Sequence, residues 1–168
     1  NWAISVVDTG LESSTGERLR QVQDLVDGEK FFCTYGDGLA PVNISELVAF
    51  HNVCGALATV TLTRPSSRFG IAQLEPSGLV SGFREKPLMD ELVSIGFFVF
   101  EPEVFSYIPV GSMLETGPLD RLAAERQLAG YVHQGFWKPL DTYRELKELQ
   151  SLWESGDAPW PKMQHSRN

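Results

Sequence analysis

The run from Lys30 to Tyr35, KFFCTY, is apolar almost throughout and stops at Gly36-Asp37-Gly38. An apolar run of this length without alternation suits a strand covered on both faces, as in a parallel sheet. A helix is predicted next, over NISELVAFHNVCG. Asn43 is a good N-cap with Glu46 three residues on, and Gly55 supplies the stop. ALATVTLTR, from Ala56, reads as another strand. Ahead of the opening run, WAISVVDTG (Trp2 to Gly10) reads as a short buried strand. STGERLRQVQDLV reads as a helix, because Leu19, Val22 and Leu25/Val26 recur on one face; Gly28 ends it. Strand, helix, strand, helix, strand is the pattern of an α/β sheet.

The pattern then changes. FGIAQLE and LVSGFREK flank Pro76-Ser77-Gly78, a turn signal, and predict a hairpin. LVSIGFFVFE reads as a strand whose Phe97, Phe98 and Phe100 belong to the core, and Pro102 opens a short helix. GPLDRLAAERQLAG reads as a helix stopped by Gly130, followed by the short strand YVHQGFW. The last helix starts at the T-x-x-E capping box of Thr142 and Glu145, with Leu146, Leu149 and Trp153 on its buried face and Gly156 as its stop.

With 168 residues and 42 % hydrophobic residues, the chain can bury a core and is not compositionally disordered. Its formal charge of −8 argues against nucleic acid or an anionic membrane as partner. No apolar stretch approaches the roughly 20 residues that span a bilayer. No signal peptide is visible at Asn1. The two cysteines, Cys33 and Cys54, lack metal-ligand spacing and fit a reduced, cytoplasmic protein.

Three residues could carry chemistry. Asp37 sits at the carboxyl end of a strand, where ligands bind in open α/β sheets. Gly36 and Gly38 would let a ligand approach the backbone. An Asp there can hold Mg²⁺, or can simply serve a turn. Asp141 precedes a helix and could share the same metal, or could answer the helix dipole. Lys86, in FREKP, suits a phosphate or a sugar hydroxyl, or a solvated hairpin end. Arg68 reads as a surface residue and His51 as a capping or core-edge histidine, and His133 is given no role.

The ordered set VVDTG, TGERLR, FCTYGDGLA, RFG, FREKP, GFFVFEP, GFWKPLDT and LWESGDAPW resembles the glucose-1-phosphate cytidylyltransferase branch of the sugar-nucleotide pyrophosphorylases, from about Val6 to Trp160. That resemblance implies a truncated Rossmann-like α/β nucleotidyltransferase fold (GT-A-like), a mixed sheet with flanking helices. Residues 1–160 would be the C-terminal two-thirds of the domain, and 161–168 a disordered tail. It implies that CTP and glucose 1-phosphate give CDP-glucose and pyrophosphate. Asp37 and Asp141 would bind Mg²⁺. Lys86 with Glu85 would contact the sugar phosphate, Gly96 and Gly36 would pass close to substrate, and Thr15, Gly16 and Arg18 would lie near the base. Ser94-Ile95-Gly96 stands where the family has Asn-Gly-Gly, and Glu17 stands where it tends to have a second glycine. The family's Gly-rich phosphate loop has no counterpart in this sequence. The expectation is therefore a chain inactive alone, completed by an N-terminal partner chain, or a catalytically dead module that binds a sugar phosphate or sugar nucleotide or serves oligomerisation. An uncovered strand edge predicts a homo-oligomer.

Overall fold

A computed structural model describes residues 3–160. The predicted disordered tail at 161–168 lies outside the described residues. The chain divides into two compact units: Asn1–Tyr35, Asn43–Val60 and Gly96–Tyr131 form the first, and Gly36–Val42, Thr61–Ile95 and Val132–Asn168 the second.

The elements in chain order are α1 (Thr15–Gln21), β1 (Phe31–Thr34), β2 (Gly38–Leu39), α2 (Ile44–Cys54), β3 (Ala58–Thr63), β4 (Ile71–Leu74), β5 (Val80–Arg84), β6 (Val93–Phe100), α3 (Pro118–Ala124), β7 (Leu128–Val132), β8 (Lys138–Pro139) and α4 (Tyr143–Ser155), with 3₁₀ turns at Gln23–Leu25 and Pro102–Tyr107. β1, β6, β3 and β7 form a four-stranded sheet in that order, while β2–β8 and β4–β5 are two-stranded pairs. β6 runs antiparallel to β1, with Phe31 opposite Phe100 and Thr34 opposite Phe97. The Ala58 N–H donates to Gln127 O at one end of β3 and β7, and the His133 N–H to Leu62 O at the other, so those two strands run the same way. The sheet is mixed, as the resemblance implied.

The first unit holds the apolar core. Phe98, Val99, Phe100, Leu47, Val104 and Leu122 are each almost fully buried. Phe98 and Phe100 stack with ring centroids 5.3 Å apart, and Phe31 stacks on Phe105 at the same distance. α2 starts where predicted: the Asn43 side chain accepts from the Glu46 N–H, and Gly55 closes the helix in the left-handed region at φ 62°. His51 is buried, not at the core edge. Its ring nitrogens lie 2.8 Å from Thr59 Oγ1 and 3.1 Å from a Glu101 carboxylate oxygen that also receives Lys30 Nζ.

Four sequence expectations fail. Residues 3–10 form no strand, and Ile4 and Val6 are exposed. An apolar run becomes a strand only where a ladder takes up its N–H and C=O groups. β1 is an edge strand paired antiparallel to β6 alone among the described residues, so Phe32 and Thr34 face outward rather than being covered. The helix expected to reach Gly130 ends at Ala124. Arg126 turns into the left-handed region at φ 57°, Gln127 bonds back to Leu122, and Gly130 lies inside β7. Helix 14–26 is broken into α1 and the 3₁₀ turn, leaving Leu25 exposed.

The second unit carries the predicted hairpin, β4–β5, with Ile71 opposite Arg84, Ala72 opposite Phe83 and a register shift at Gln73/Leu74. It also carries α4, whose capping box is formed: Thr142 Oγ1 accepts from the Glu145 N–H, and the Glu145 carboxylate returns to the Thr142 N–H at 2.8 Å. Leu149 is buried, but Trp153 remains half exposed, so the expected apolar face is only partly covered.

Candidate functional site

The β2–β8 pair is the element that builds the site. Each strand has two residues, too few to register in a sequence pattern. Gly38 pairs with Pro139 and Leu39 with Lys138, and the Leu140 N–H donates to Asp37 O at 2.7 Å. Asp37 and Asp141, 104 positions apart in sequence, therefore come out at neighbouring ends of two paired strands. Proline at the outer position suits β8, because it has no N–H to give a ladder.

The flanking glycines differ. At Gly38 a Cβ would press on Ile95 O at 3.3 Å and Trp137 Nε1 at 3.5 Å; at Gly36 it would meet nothing within 4 Å. Gly38 is thus packed closely against the protein itself, while the space over Gly36 is open.

Arg68 joins the pair. One guanidinium nitrogen lies 3.3 Å from Asp141 Oδ2 and 3.5 Å from Glu145 Oε1. Burial raises the Glu145 carboxyl, but bonds from Thr142 and the Asp141 N–H, with the Arg68 charge, hold it below the ordinary carboxylate range. The Arg68 segment is fixed in turn to the residues after β5: the Ser67 N–H donates to Pro87 O at 2.8 Å and the Met89 N–H to Pro65 O at 2.9 Å. These bonds flank an isolated bridge between Ser66 and Leu88 and tie the segment just after Lys86 to Pro65–Ser67. Lys86 is itself in the left-handed region at φ 43°, an uncommon conformation for a non-glycine residue. Glu85 turns its carboxylate toward Gly70, 2.9 Å from where a Cβ would stand.

A cleft of about 600 Å³ opens between these elements, walled by Arg64, Ser66, Arg68, Ser94, Trp137 and Lys138 among others. It is of the size that small-molecule sites have. Trp137 Nε1 is buried and has no hydrogen-bond partner among the described residues. Ile95 is buried and does not line the cleft. Sequence reasoning passed over Arg68, Trp137 and Glu145 as site residues. The RFG and GFWKPLDT motifs contained the signal for the first two, and the capping box concealed the third.

The remaining candidates belong to the first unit. Thr15 Oγ1 donates to Glu115 Oε2 at 2.7 Å and accepts from the Leu114 N–H at 2.9 Å. Gly16 is buried, and a Cβ there would fall 2.6 Å from Ser112 O, so the position is a packing glycine. Arg18 is anchored on Thr9 Oγ1 at 2.7 Å and Leu11 O at 2.9 Å. Gly96 has φ 77° and lies under the Tyr35 ring, 2.7 Å from where a Cβ would be. The Tyr35 hydroxyl bonds to Glu115. Burial pushes the Glu115 carboxyl up, but the Tyr35 and Thr15 hydroxyls hold it below its ordinary value.

Asp37 and Asp141 suit Mg²⁺ by donor type. Both are exposed hard-oxygen carboxylates, just before β2 and just after β8. The described residues hold no cluster of three or more His, Cys, Asp or Glu side chains that would form a complete protein cage. Mg²⁺ is commonly held by one or two carboxylates with waters and substrate phosphates.

The sequence model of the nucleotidyl transferase family matches residues 5–150. A glucose-1-phosphate cytidylyltransferase of Salmonella typhi is 43 % identical over 162 residues, covering 95 % of this chain and 63 % of the relative. A UTP–glucose-1-phosphate uridylyltransferase of a Synechocystis strain is 31 % identical over 121 residues, 67 % of this chain and 31 % of its own length. A solved UDP-glucose pyrophosphorylase complexed with UDP-glucose superposes with a TM-score of 0.61 at 15 % identity, covering 90 % of this chain and 66 % of that one. The chain thus spans about two thirds of the length of the curated cytidylyltransferases it matches. No helix among the described residues is long and apolar enough to cross a membrane.

Proposed function

This chain belongs to the nucleotidyl transferase family, and from that premise we propose that its second unit forms the sugar-phosphate and metal side of a glucose-1-phosphate cytidylyltransferase site. The substrates are CTP and glucose 1-phosphate, and the products are CDP-glucose and pyrophosphate. The observation that carries this reading is the β2–β8 pairing, at whose neighbouring ends Asp37 and Asp141 lie. The likeness to the Salmonella typhi cytidylyltransferase, over 95 % of this chain, supports cytidine as the base and glucose as the sugar.

In this reaction a phosphate oxygen of the sugar phosphate attacks the α-phosphorus of CTP in line. The bond to the β-phosphate oxygen breaks and pyrophosphate leaves with the electron pair. No covalent intermediate on the protein is required, so catalysis is positioning and charge neutralisation. Mg²⁺, held by Asp37 and Asp141, would supply positive charge to the phosphate oxygens. Lys86 and Arg68 supply fixed cations for the sugar phosphate. Arg68 lies against Asp141 and Glu145, so it shields the acidic pair before phosphate arrives. Trp137 Nε1 offers a donor without an internal acceptor. On the family resemblance, Glu85 and Gly36 are assigned to the sugar side, and Thr15 and Arg18 to the base.

Calorimetric titration of CDP-glucose with and without Mg²⁺ tests the proposal. Mg²⁺-dependent binding is expected, and Asp37→Asn should weaken it by about 10-fold or more, on the order of 1.4 kcal/mol. Equal binding by wild type and Asp37→Asn, or no binding at millimolar ligand, removes the metal assignment.

A further inference from the structure

The cleft of the second unit carries a charge opposite to that of the chain. Its walls hold three basic side chains, Arg64, Arg68 and Lys138, against one acidic side chain, Glu145, in a chain of formal charge −8. A locally positive cleft concentrates anions. Two of the three cations are already engaged. Arg68 lies against Asp141 and Glu145, and Lys138 against Glu148. Arg64 is exposed, and its guanidinium has no hydrogen-bond or ion-pair partner among the described residues.

The backbone beneath that free guanidinium is held in place. The Thr63 hydroxyl donates to His133 O at 3.0 Å and the His133 N–H to Leu62 O at 2.8 Å, so the end of β3 is tied to the residue after β7. Arg64 is the first residue past the carboxyl end of β3, the place where open α/β sheets bind ligands. Pro65 follows and disfavours helical backbone at Arg64. Pro65 O in turn accepts the Met89 N–H at 2.9 Å. An arginine with an anchored base and a free head can take an anion without first giving up an internal ion pair, whereas Arg68 is shared with two carboxylates. The guanidinium fork matches two oxygens of a phosphate.

We propose that Arg64 is the principal phosphate-binding residue of this cleft, and that it takes the phosphate monoester of the sugar phosphate without Mg²⁺. Guanidinium is permanently charged, so this contact does not wait for a metal at Asp37 and Asp141. The role rests on the sugar-phosphate reading of the cleft and adds to it a residue outside the motifs that carry the family resemblance.

Calorimetric titration of glucose 1-phosphate into the full chain, with a metal chelator present, tests it beside the Mg²⁺-dependent CDP-glucose titration. Wild type is expected to bind glucose 1-phosphate without metal. Arg64→Gln should bind it about 10-fold or more weakly, and Arg64→Lys should fall between the two, keeping the charge and losing the fork. Arg64 makes no internal bond, so denaturation midpoints should not move. In the wild type, the Arg64 Nε–H resonance, assigned through the backbone, should shift and saturate with glucose 1-phosphate. Equal affinity of Arg64→Gln and wild type overturns the role of Arg64, as does an Arg64 resonance that stays still in the saturated complex. Neither result touches the CDP-glucose titration, so the cytidylyltransferase reading stands or falls separately. Absence of metal-free binding at millimolar glucose 1-phosphate also overturns it. If Arg64→Gln lowers the denaturation midpoint, the wild-type resonance decides.

Discussion

In the first unit Phe98, Val99, Phe100, Val104 and Leu122 are sealed from solvent and the aromatic rings stack on one another; in the second, Ile95 and Leu149 are the only large apolar side chains buried among the described residues. The second unit instead holds Asp37, Asp141, Arg68 and Lys86, all exposed, on short pairs and turns. Packing and candidate chemistry are therefore segregated. Ligand-handling segments are drawn from the sparsely packed end of a structure, where opening costs little.

The largest effect that could break this comparison is on stability. Phe100→Ala should cost about 3–5 kcal/mol and Leu149→Ala about 2–3, read as chemical denaturation midpoints. If Leu149→Ala proves the more damaging, the second unit is not the weaker one. A loss on the order of 1 kcal/mol is expected for Thr142→Ala, which removes the cap of α4. Because Thr142 and Glu145 also hold the ground beside Asp141, CDP-glucose affinity should fall with stability in that variant; a fall in stability alone would separate the cap from the site.

Trp137→Phe should weaken sugar-nucleotide binding by about 5-fold, on the order of 1 kcal/mol, with no loss of stability. A variant that binds as wild type would show that the indole N–H meets no ligand. The smallest effect belongs to the first unit and to pH. The Glu115 carboxyl is held below its ordinary value of 4.5, so it contributes stability above that pH and loses it as pH falls through the lowered folded value. Glu115→Gln should flatten the acid limb of stability below about pH 4.5. An unchanged acid limb would show that the Tyr35–Glu115–Thr15 contacts contribute nothing to the first unit.

Much of the local structure was legible in the sequence. The Asn43 and Thr142 caps, the left-handed glycines Gly55 and Gly156, the Pro76-Ser77-Gly78 hairpin and the core phenylalanines are all found where residue chemistry put them. The ordered motifs also fixed the family. Caps and turns are legible because their donors and acceptors lie within four residues of each other, so the sequence states the whole interaction. The candidate site was legible as a list of residues and not as an arrangement. Asp37 and Asp141 could be named, but their placement at neighbouring strand ends depends on a β2–β8 ladder of two residues a side, which has no periodicity to read. Arg68 looked like a surface residue until that ladder brought Asp141 to it. The apolar stretch ahead of Gly10 illustrates the reverse. Its composition specifies a strand as well as β1 does, and only β1 has a neighbour to pair with. Local hydrogen bonds and apolar patterning are properties of the sequence. Which strands find partners is settled only when distant segments close loops against chain entropy, and that competition is decided in the tertiary fold.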